Sequence, residues 1–267
     1  MKKLITYILL FLLAFSFLFP FLIMVLGSFK EMEYALLDPF FWIPDNPSLA
    51  NYTYIFRDGI FLRWIFNSLV ITIVPVFSQM FLCAVLGYIF AKKQFPGREA
   101  IFWTFMAVIM IPQQLLIIPK YIMFADFGWI NTYWALIVPE LWGIMGVFLV
   151  RQFLQGIPND FEEAAYIDGA NDIQIFSKII LPLSIPVVAT VGTFSFINNW
   201  NDLFQPLIYM TQEKMFPVTV GLATLLGKEG NFGIEMAGST LSFIPTFLIF
   251  LFFQRYFTEG IQMSGLK

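Results

Sequence analysis

The sequence predicts an all-α membrane protein with six transmembrane helices, and composition is the first of two observations behind this prediction. Of the 267 residues, 59% are hydrophobic and 12% are charged, whereas soluble domains average about 45–50% apolar and about 25% charged residues. The 34 phenylalanines are spread along the whole chain, and one soluble core of this size could not bury so much apolar surface. We therefore expect much of this surface to face lipid.

The second observation is a series of six long runs with few or no charged residues. A helix needs about 20 apolar residues to cross the hydrocarbon core of a membrane. The first run follows Lys2 and Lys3, as in a signal peptide, but it is longer than the apolar region of about 7–15 residues in such a peptide. We interpret it as an uncleaved span and expect a single transmembrane domain over residues 1–267. The six predicted spans are residues 4–29, 64–91, 100–119, 127–150, 179–201 and 236–254.

The orientation in the membrane follows from the basic residues between these spans. With six spans, nine Lys and Arg residues lie on the side of the two termini and six lie on the other side. Basic residues are enriched in cytoplasmic loops, so we expect both termini in the cytoplasm. The nine residues on the predicted cytoplasmic side are Lys2, Lys3, Lys92, Lys93, Arg98, Arg151, Lys178, Arg255 and Lys267.

Prolines interrupt most of the predicted spans. Such residues are tolerated in a membrane where neighbouring helices or a water-filled cavity satisfy the freed carbonyl groups. Two interpretations remain open here, namely ordinary kinked packing and helices that bend around a pathway. The prolines concerned are Pro75, Pro112, Pro139, Pro182, Pro186 and Pro245.

Several kinds of chemistry are excluded by what the sequence lacks. It contains no histidine and a single cysteine, so it can form no internal disulfide, no zinc cluster and no catalytic site that depends on histidine. A net charge of −3 and the absence of long basic runs argue against nucleic-acid binding. No GxxxxGK[ST] sequence occurs, so we expect no ATP hydrolysis by this chain. No metal site and no catalytic site are predicted.

The segment between the fourth and fifth spans, residues 158–178, predicts two short helices joined by a turn, which we call the elbow. Asn159 is a good N-cap and Glu162 follows at the spacing of a capping box. A first helix is thus expected from Asp160 to Asp168, with Gly169 as a left-handed C-cap. Asn171 or Asp172 can cap a second helix that runs into the fifth span. Apolar residues lie beside acidic ones in this segment, which indicates a surface on which another protein docks, although a solvated connector without a partner has a similar charge pattern.

A spaced motif in the elbow resembles a known family. Glu163-Ala164-Ala165, three residues, Gly169, nine residues, Ile179, one residue and Leu181-Pro182 match the EAA motif of permease subunits in binding-protein-dependent ABC importers. Beyond this motif, the sequence from residue 27 to residue 261 resembles the second permease subunit of the maltose-type carbohydrate importers. The matching segments are RQFLQGIP, EEAAYIDGA, IILPLSIP, NNWNDLFQPL and FFQRYFTEGI.

The resemblance implies a type I ABC importer permease fold in the inner (plasma) membrane of a prokaryote. It implies a hetero-oligomer with a homologous second permease, two copies of a cytoplasmic ABC ATPase and an extracytoplasmic solute-binding protein, surrounded by membrane lipid. ATP and Mg²⁺ would bind the ATPase, and this chain would carry no cofactor. The elbow would be the coupling helix that contacts the ATPase, formed by Glu162, Glu163, Ala164, Ala165, Asp168, Gly169 and Ala170.

Polar residues near two of the predicted spans are candidates for a substrate pathway. Glu140 lies about halfway along the fourth span, where an ionisable group costs roughly 2.5–3.5 kcal/mol on insertion scales and suggests a functional site. A protonated or hydrogen-bonded structural carboxyl is the alternative. The fifth span ends in Asn198, Asn199, Trp200, Asn201 and Asp202, which offer hydrogen bonds and an aromatic face to sugar hydroxyls, or else form a hydrated helix end with an interfacial Trp. Gln79, Gln113 and Gln114 are further candidates, or they tie helices together.

Two other functions fit the sequence less well than a carbohydrate permease. A secondary transporter predicts paired intramembrane charges, whereas Glu140 is nearly alone within its span. A membrane-embedded enzyme needs a nucleophile and a base at membrane depth, and the sequence offers no such pair.

Overall fold

Helices are the regular secondary structure throughout the part of the chain that the computed structural model describes, which is residues 2–30, 43–44, 46–229 and 231–264. The α-helices are α1 Lys2–Gly27, α2 Ala50–Phe56, α3 Ile60–Lys92, α4 Arg98–Val108, α5 Ile117–Asp126, α6 Trp134–Ile137, α7 Ile144–Gln155, α8 Asp160–Ile167, α9 Asp172–Ile175, α10 Leu181–Leu183, α11 Ile185–Asn201, α12 Phe204–Tyr209, α13 Val218–Glu229 and α14 Phe232–Ser264. Within the described residues, three 3₁₀ turns lie at Gln113–Leu116, Val138–Glu140 and Glu213–Met215, and one π-helical segment lies at Phe176–Ile180.

In the part of the chain that the structure describes, four helical stretches are individually long and apolar enough to cross a membrane. They are Lys3–Gly27, Ile60–Lys92, Trp134–Gln155 and Phe232–Tyr256. Two bent pairs reach the required length together, Arg98–Val108 with Gln113–Asp126 and Asp172–Leu183 with Ile185–Asn201. The described residues therefore hold up to six spans, which agrees with the predicted number if each pair counts as one span.

The third span departs most from its sequence prediction. Residues 100–119 do not form one helix, because α4 ends at Val108 and Pro112 precedes a 3₁₀ turn. Proline lacks an N–H and its ring clashes with the carbonyl four residues earlier. The chain bends by 83° between α4 and the helical stretch Gln113–Asp126. Such a break is tolerated at membrane depth where it lines a cavity.

The chain divides into two compact units, the first of which covers Met1–Asn67 and Phe216–Pro245. In this unit α1 packs against α14, where the rings of Phe21 and Phe243 lie 4.7 Å apart. The Asn51 amide donates to the carbonyl of Ser28 at 2.9 Å, which fixes α2 against the end of α1. The outward faces of α1 are almost entirely apolar and exposed, as expected for a helix in lipid.

The second unit covers Ser68–Met215 and Thr246–Lys267. Its core forms where α3 meets α7. A Cβ built on Gly87 would lie 2.5 Å from Cγ1 of Val150, and one built on Gly146 would lie 2.6 Å from Sγ of Cys83. Only residues without a side chain allow the two helices to approach so closely. This packing places the Lys92 end of α3 beside the last turn of α7 and the elbow.

The orientation of these helices in the membrane stays a prediction, and two engineered cysteines test it. We expect Ser48→Cys to react with an impermeant thiol reagent added to intact cells, and Gln94→Cys to react only after permeabilisation. The native Cys83 is fully buried and should give no background. Labelling of Gln94→Cys in intact cells would contradict the cytoplasmic placement of both termini.

Candidate functional site

The elbow has the helices and the turn that the sequence predicts, but one predicted cap, at Asn159, does not form. Helix α8 is followed by Gly169 at φ +79°, and Asn171 caps α9 through reciprocal 2.9 Å bonds with Gln174. The predicted capping box at Asn159 is wrong, because the Asn159 side chain makes no capping bond. Its Oδ1 instead accepts from Nζ of Lys92 at 2.7 Å. A tertiary contact thus replaces the local one.

The inner face of α8 is fastened to the end of α3. The Glu162 carboxylate is buried and accepts a 2.8 Å hydrogen bond from the hydroxyl of Tyr88. Ala165, one turn later, is also buried. An ionised side chain is rarely buried unless it is paired, so the bond from Tyr88 explains how Glu162 is accommodated. This face belongs to the interior of the second unit.

Lys93, the residue after α3, is the centre of the contact between α3 and the elbow. Its Nζ donates to the hydroxyl of Tyr166 at 2.8 Å and to the carboxylate of Asp172 at 2.9 Å, and it lies 3.5 Å from Glu162. It also lies 4.9 Å from the centre of the Tyr88 ring. One ammonium group therefore joins α3 to both helices of the elbow.

The charge of Lys93 is stabilised by these partners. Burial lowers the pKa of its ammonium group, but the hydrogen bonds with Tyr166, Tyr88 and Asp172 outweigh burial and raise the pKa above its usual range. Opposite charge and hydrogen bonding to the ionised form have this effect. Lys93 therefore stays protonated at physiological pH.

The outer face of the elbow exposes large apolar side chains. Ile167 is 86% exposed, Ile173 is 77% exposed and Phe161 is 50% exposed. Such groups on a polar segment indicate a surface that another protein covers. Of the residues predicted for the coupling surface, Glu163, Ala164, Asp168 and Gly169 are exposed, Ala170 is half-buried, and Glu162 and Ala165 face inward.

The elbow continues into α11 through a bent connection. A π-helical segment at Phe176–Ile180 leads to α10, and the axis then turns by 73° at Ser184. The Ser184 hydroxyl donates to the carbonyl of Ile180 at 2.6 Å. Pro186 follows at the start of α11, where its missing N–H costs nothing. The elbow is thus connected covalently to α11 and by side chains to α3.

Arg151, in α7, is a buried anchor that sequence analysis did not single out beyond its charge. Its Nη2 donates to both carboxylate oxygens of Glu99, at 2.7 and 2.8 Å, and its Nε donates to the carbonyl of Phe90 at 3.2 Å. The guanidinium also lies 3.8 Å from the centre of the Phe102 ring. These contacts join α7 to the end of α3 and the start of α4.

We expect Arg151→Met to lower the free energy of unfolding by about 1–3 kcal/mol, because it leaves the Phe90 carbonyl without its donor. Glu99→Gln should cost less, since the Glu99 side chain is 51% exposed and solvent weakens ion pairs of exposed groups. Thermal unfolding of both variants in detergent measures the difference. Equal losses would show that the ion pair, and not the buried guanidinium, stabilises this junction.

A cavity of about 1130 Å³, which we call the main cavity, opens in the second unit between the broken third span and helices α3, α7 and α11. Most of its lining is apolar. Two tryptophans, Trp129 and Trp142, contribute aromatic faces. Its polar side chains include Gln79, Gln113, Gln114, Lys120, Glu140, Asn198 and Asn199.

Three of the six residues predicted for a substrate pathway, Glu140, Asn198 and Asn199, line the main cavity. Trp200 is 1% exposed and stacks on Phe196 with a centroid distance of 5.6 Å. Asn201 is exposed and donates to a carbonyl of its own helix at 2.8 Å. The structure therefore places these last two outside the lining.

Asp202 shares a second, narrow cavity of about 10 Å³ with Glu140. Its Oδ1 accepts the backbone N–H of Phe204 at 3.0 Å and of Gln205 at 3.4 Å, which caps α12. The amide of Gln205 donates to Glu140 at 3.4 Å. Asp202 thus has a structural partner at the beginning of α12.

Lys120 and Trp142 line the main cavity and were missed by sequence analysis. Lys120 lies just beyond the predicted third span, on α5, and its Nζ donates to Oε1 of Gln113 at 2.8 Å. Trp142 is 65% exposed. An isolated charge between two apolar runs could have marked Lys120 as a candidate. The direction in which its side chain points, however, depends on the bend of the chain at Pro112.

The sequence matches the family described as "Binding-protein-dependent transport system inner membrane component" over residues 83–263. It is 35% identical to the arabinooligosaccharides transport system permease protein AraQ of Halalkalibacterium halodurans, over 96% of this chain and 93% of that protein. It is 29% identical to the polygalacturonan/rhamnogalacturonan transport system permease protein YtcP of Bacillus subtilis, over 96% of each.

A solved structure shares the fold. A chain of a bacterial ABC transporter involved in the import of the acidic polysaccharide alginate superposes with a TM-score of 0.83 at 22% identity, and the match covers 96% of each chain. The predicted all-helical importer permease fold is therefore confirmed.

Proposed function

Because the chain belongs to the family of binding-protein-dependent transport system inner membrane components, we propose that it forms one half of the translocation pathway of an ATP-driven oligosaccharide importer. Family membership makes it a transport component of the inner membrane rather than an enzyme. The carbohydrate substrate is supported by the names of AraQ and YtcP, which together include neutral and acidic polymers.

The observation that carries this proposal is the two-sided elbow. Its inner face is fastened to α3 through Glu162, Tyr88 and Lys93, while Ile167 and Phe161 face outward. Exposed apolar groups gain free energy when a partner removes them from water. A cytoplasmic ABC ATPase, which binds ATP and Mg²⁺, is the partner that we propose for this surface.

A movement of the elbow would be transmitted to two helices that line the main cavity, α3 and α11. The covalent connection through Ser184 leads to α11, and the Lys93 contacts lead to α3. Both helices line the cavity, α3 through Gln79 and α11 through Asn198. When the ATPase closes, these helices would shift together, which changes access to the cavity.

We further propose the partners that complete the pathway. A homologous second permease would supply the other half, two ATPase copies would bind one elbow each, and an extracytoplasmic solute-binding protein would deliver the sugar. Membrane lipid would cover the apolar outer faces, such as that of α1.

Reconstitution of the complete complex in proteoliposomes tests the function. We expect uptake of a labelled oligosaccharide that needs both ATP and the binding protein, together with copurification of the ATPase. Uptake driven by an ion gradient without ATP would instead support a secondary transporter and would contradict the proposal.

A further inference from the structure

We propose that the main cavity binds a neutral oligosaccharide, with a sugar ring stacked on Trp142 and hydroxyl groups bonded between Lys120 and Glu140, and that this balance of charge disfavours acidic sugars. The inference rests on the proposed function and names the substrate class. It starts from the composition of the lining. Among the described residues of that lining, Lys120 is the single cation and Glu140 the single anion.

The position of Lys120 argues that the cavity contains water or a polar ligand. An ammonium group exposed to hydrocarbon is costly. Among the described residues, the hydrogen-bond partner of Lys120 is the amide oxygen of Gln113, at 2.8 Å. One neutral amide does not replace the hydration of an ammonium group. Gln114, Asn198 and Asn199 add further donors and acceptors to the same cavity. Such a surface suits a ligand that is rich in hydroxyl groups, since each hydroxyl both donates and accepts a hydrogen bond.

Trp142 provides the apolar part of the site. Its side chain is 65% exposed and lies on the lining beside Gly143. Ligand sites combine aromatic surfaces with a few polar groups that orient the ligand. The volume of about 1130 Å³ exceeds the range of about 300–1000 Å³ that is typical of drug-sized ligands, and therefore suits several sugar units.

The balance of charge decides between the neutral and the acidic sugars. A uronic acid oligomer brings one carboxylate per unit into a cavity whose described lining offers one ammonium group, that of Lys120, as a partner, while Glu140 offers a carboxylate no positive charge. Charges that leave water without a partner are strongly disfavoured. A neutral oligomer meets no such cost.

The test measures binding of trisaccharides to the complete importer complex in nanodiscs, without the binding protein, which would itself bind the sugar. The probes are arabinotriose, maltotriose and trigalacturonate, and titration calorimetry gives each Kd. We expect the wild-type complex to bind at least one neutral trisaccharide about tenfold more tightly than trigalacturonate. Opposite charges on a ligand and its site favour binding, whereas like charges oppose it.

Three variants separate the contributions. Glu140→Gln should shift the preference toward trigalacturonate by about tenfold, and Lys120→Met should shift it the other way. Trp142→Ala should raise the Kd of the neutral trisaccharide about tenfold, which is within the range for loss of an aromatic side chain that the ligand buries. Trp103→Ala is the matched control, since Trp103 is 60% exposed and is absent from the described lining.

The outcomes distinguish this inference from the proposed function. A wild-type preference for trigalacturonate, unchanged preference in Glu140→Gln and Lys120→Met, or no saturable binding by a complex that still transports with ATP would each overturn the inference alone. Loss of ATP-driven uptake by the wild-type complex would overturn the proposed function itself.

Discussion

Replacing Lys93 with methionine is expected to lower ATP-driven uptake by about tenfold, equivalent to roughly 1.4 kcal/mol of lost coupling. Lys93 joins the end of α3 to Glu162, Tyr166 and Asp172. Without the ammonium group, the elbow keeps its covalent connection to α11 and the bond from Tyr88 to Glu162, but it loses a side chain that joins α3 to both α8 and α9. Uptake and ATPase activity should be measured on the same reconstituted complex, because we expect ATP hydrolysis to continue while transport fails.

A structural effect can be separated from this loss of coupling. The ion pair of Lys93 with Asp172 is partly exposed, and such pairs contribute little to stability, so the thermal unfolding midpoint should change little. Lys93→Arg should restore much of the uptake, since a guanidinium also donates to these partners. Lys178→Met is the matched control, because Lys178 is an exposed residue of the same segment. Normal uptake in Lys93→Met would contradict the proposed role of Lys93 in transmission between the elbow and α3.

Replacing Ile167 with aspartate is expected to abolish copurification of the ATPase and, with it, uptake. Ile167 is 86% exposed in this chain, and burial of an isoleucine side chain against a partner contributes about 1.5–3 kcal/mol. The substitution removes this contribution and adds the cost of desolvating a carboxylate. The amount of ATPase that copurifies with the affinity-tagged permease is the direct measurement.

The same substitution should leave the permease itself folded. Ile167 ends α8 and makes few contacts with the rest of the second unit, as its exposure shows. Gln152→Asp is a suitable control, because it places the same charge at an exposed position of α7. If Ile167→Asp still copurifies with a full complement of ATPase, the outer face of the elbow is not the docking surface.

The sequence by itself determined the fold class, the elbow and the family. Long uncharged runs can satisfy their backbone groups in lipid only as helices, so composition was sufficient for the fold class. The left-handed Gly169 and the cap at Asn171 were likewise predictable, since both depend on residues a few positions apart. The spaced motif from Glu163 to Pro182 carried the resemblance in the same local way.

The tertiary structure alone decided which faces of these helices are available. Sequence analysis grouped Glu162 with Glu163 on one coupling surface, but Tyr88, 74 positions away, holds Glu162 inward. It also grouped Trp200 with Asn198, whereas packing on Phe196 buries the tryptophan. Lys120 and Trp142 reach one cavity because the chain bends at Pro112 and α7 packs on α3. Such pairings depend on contacts between distant segments, and no local pattern specifies them, because helical periodicity defines the faces of a helix but not the neighbour that each face meets.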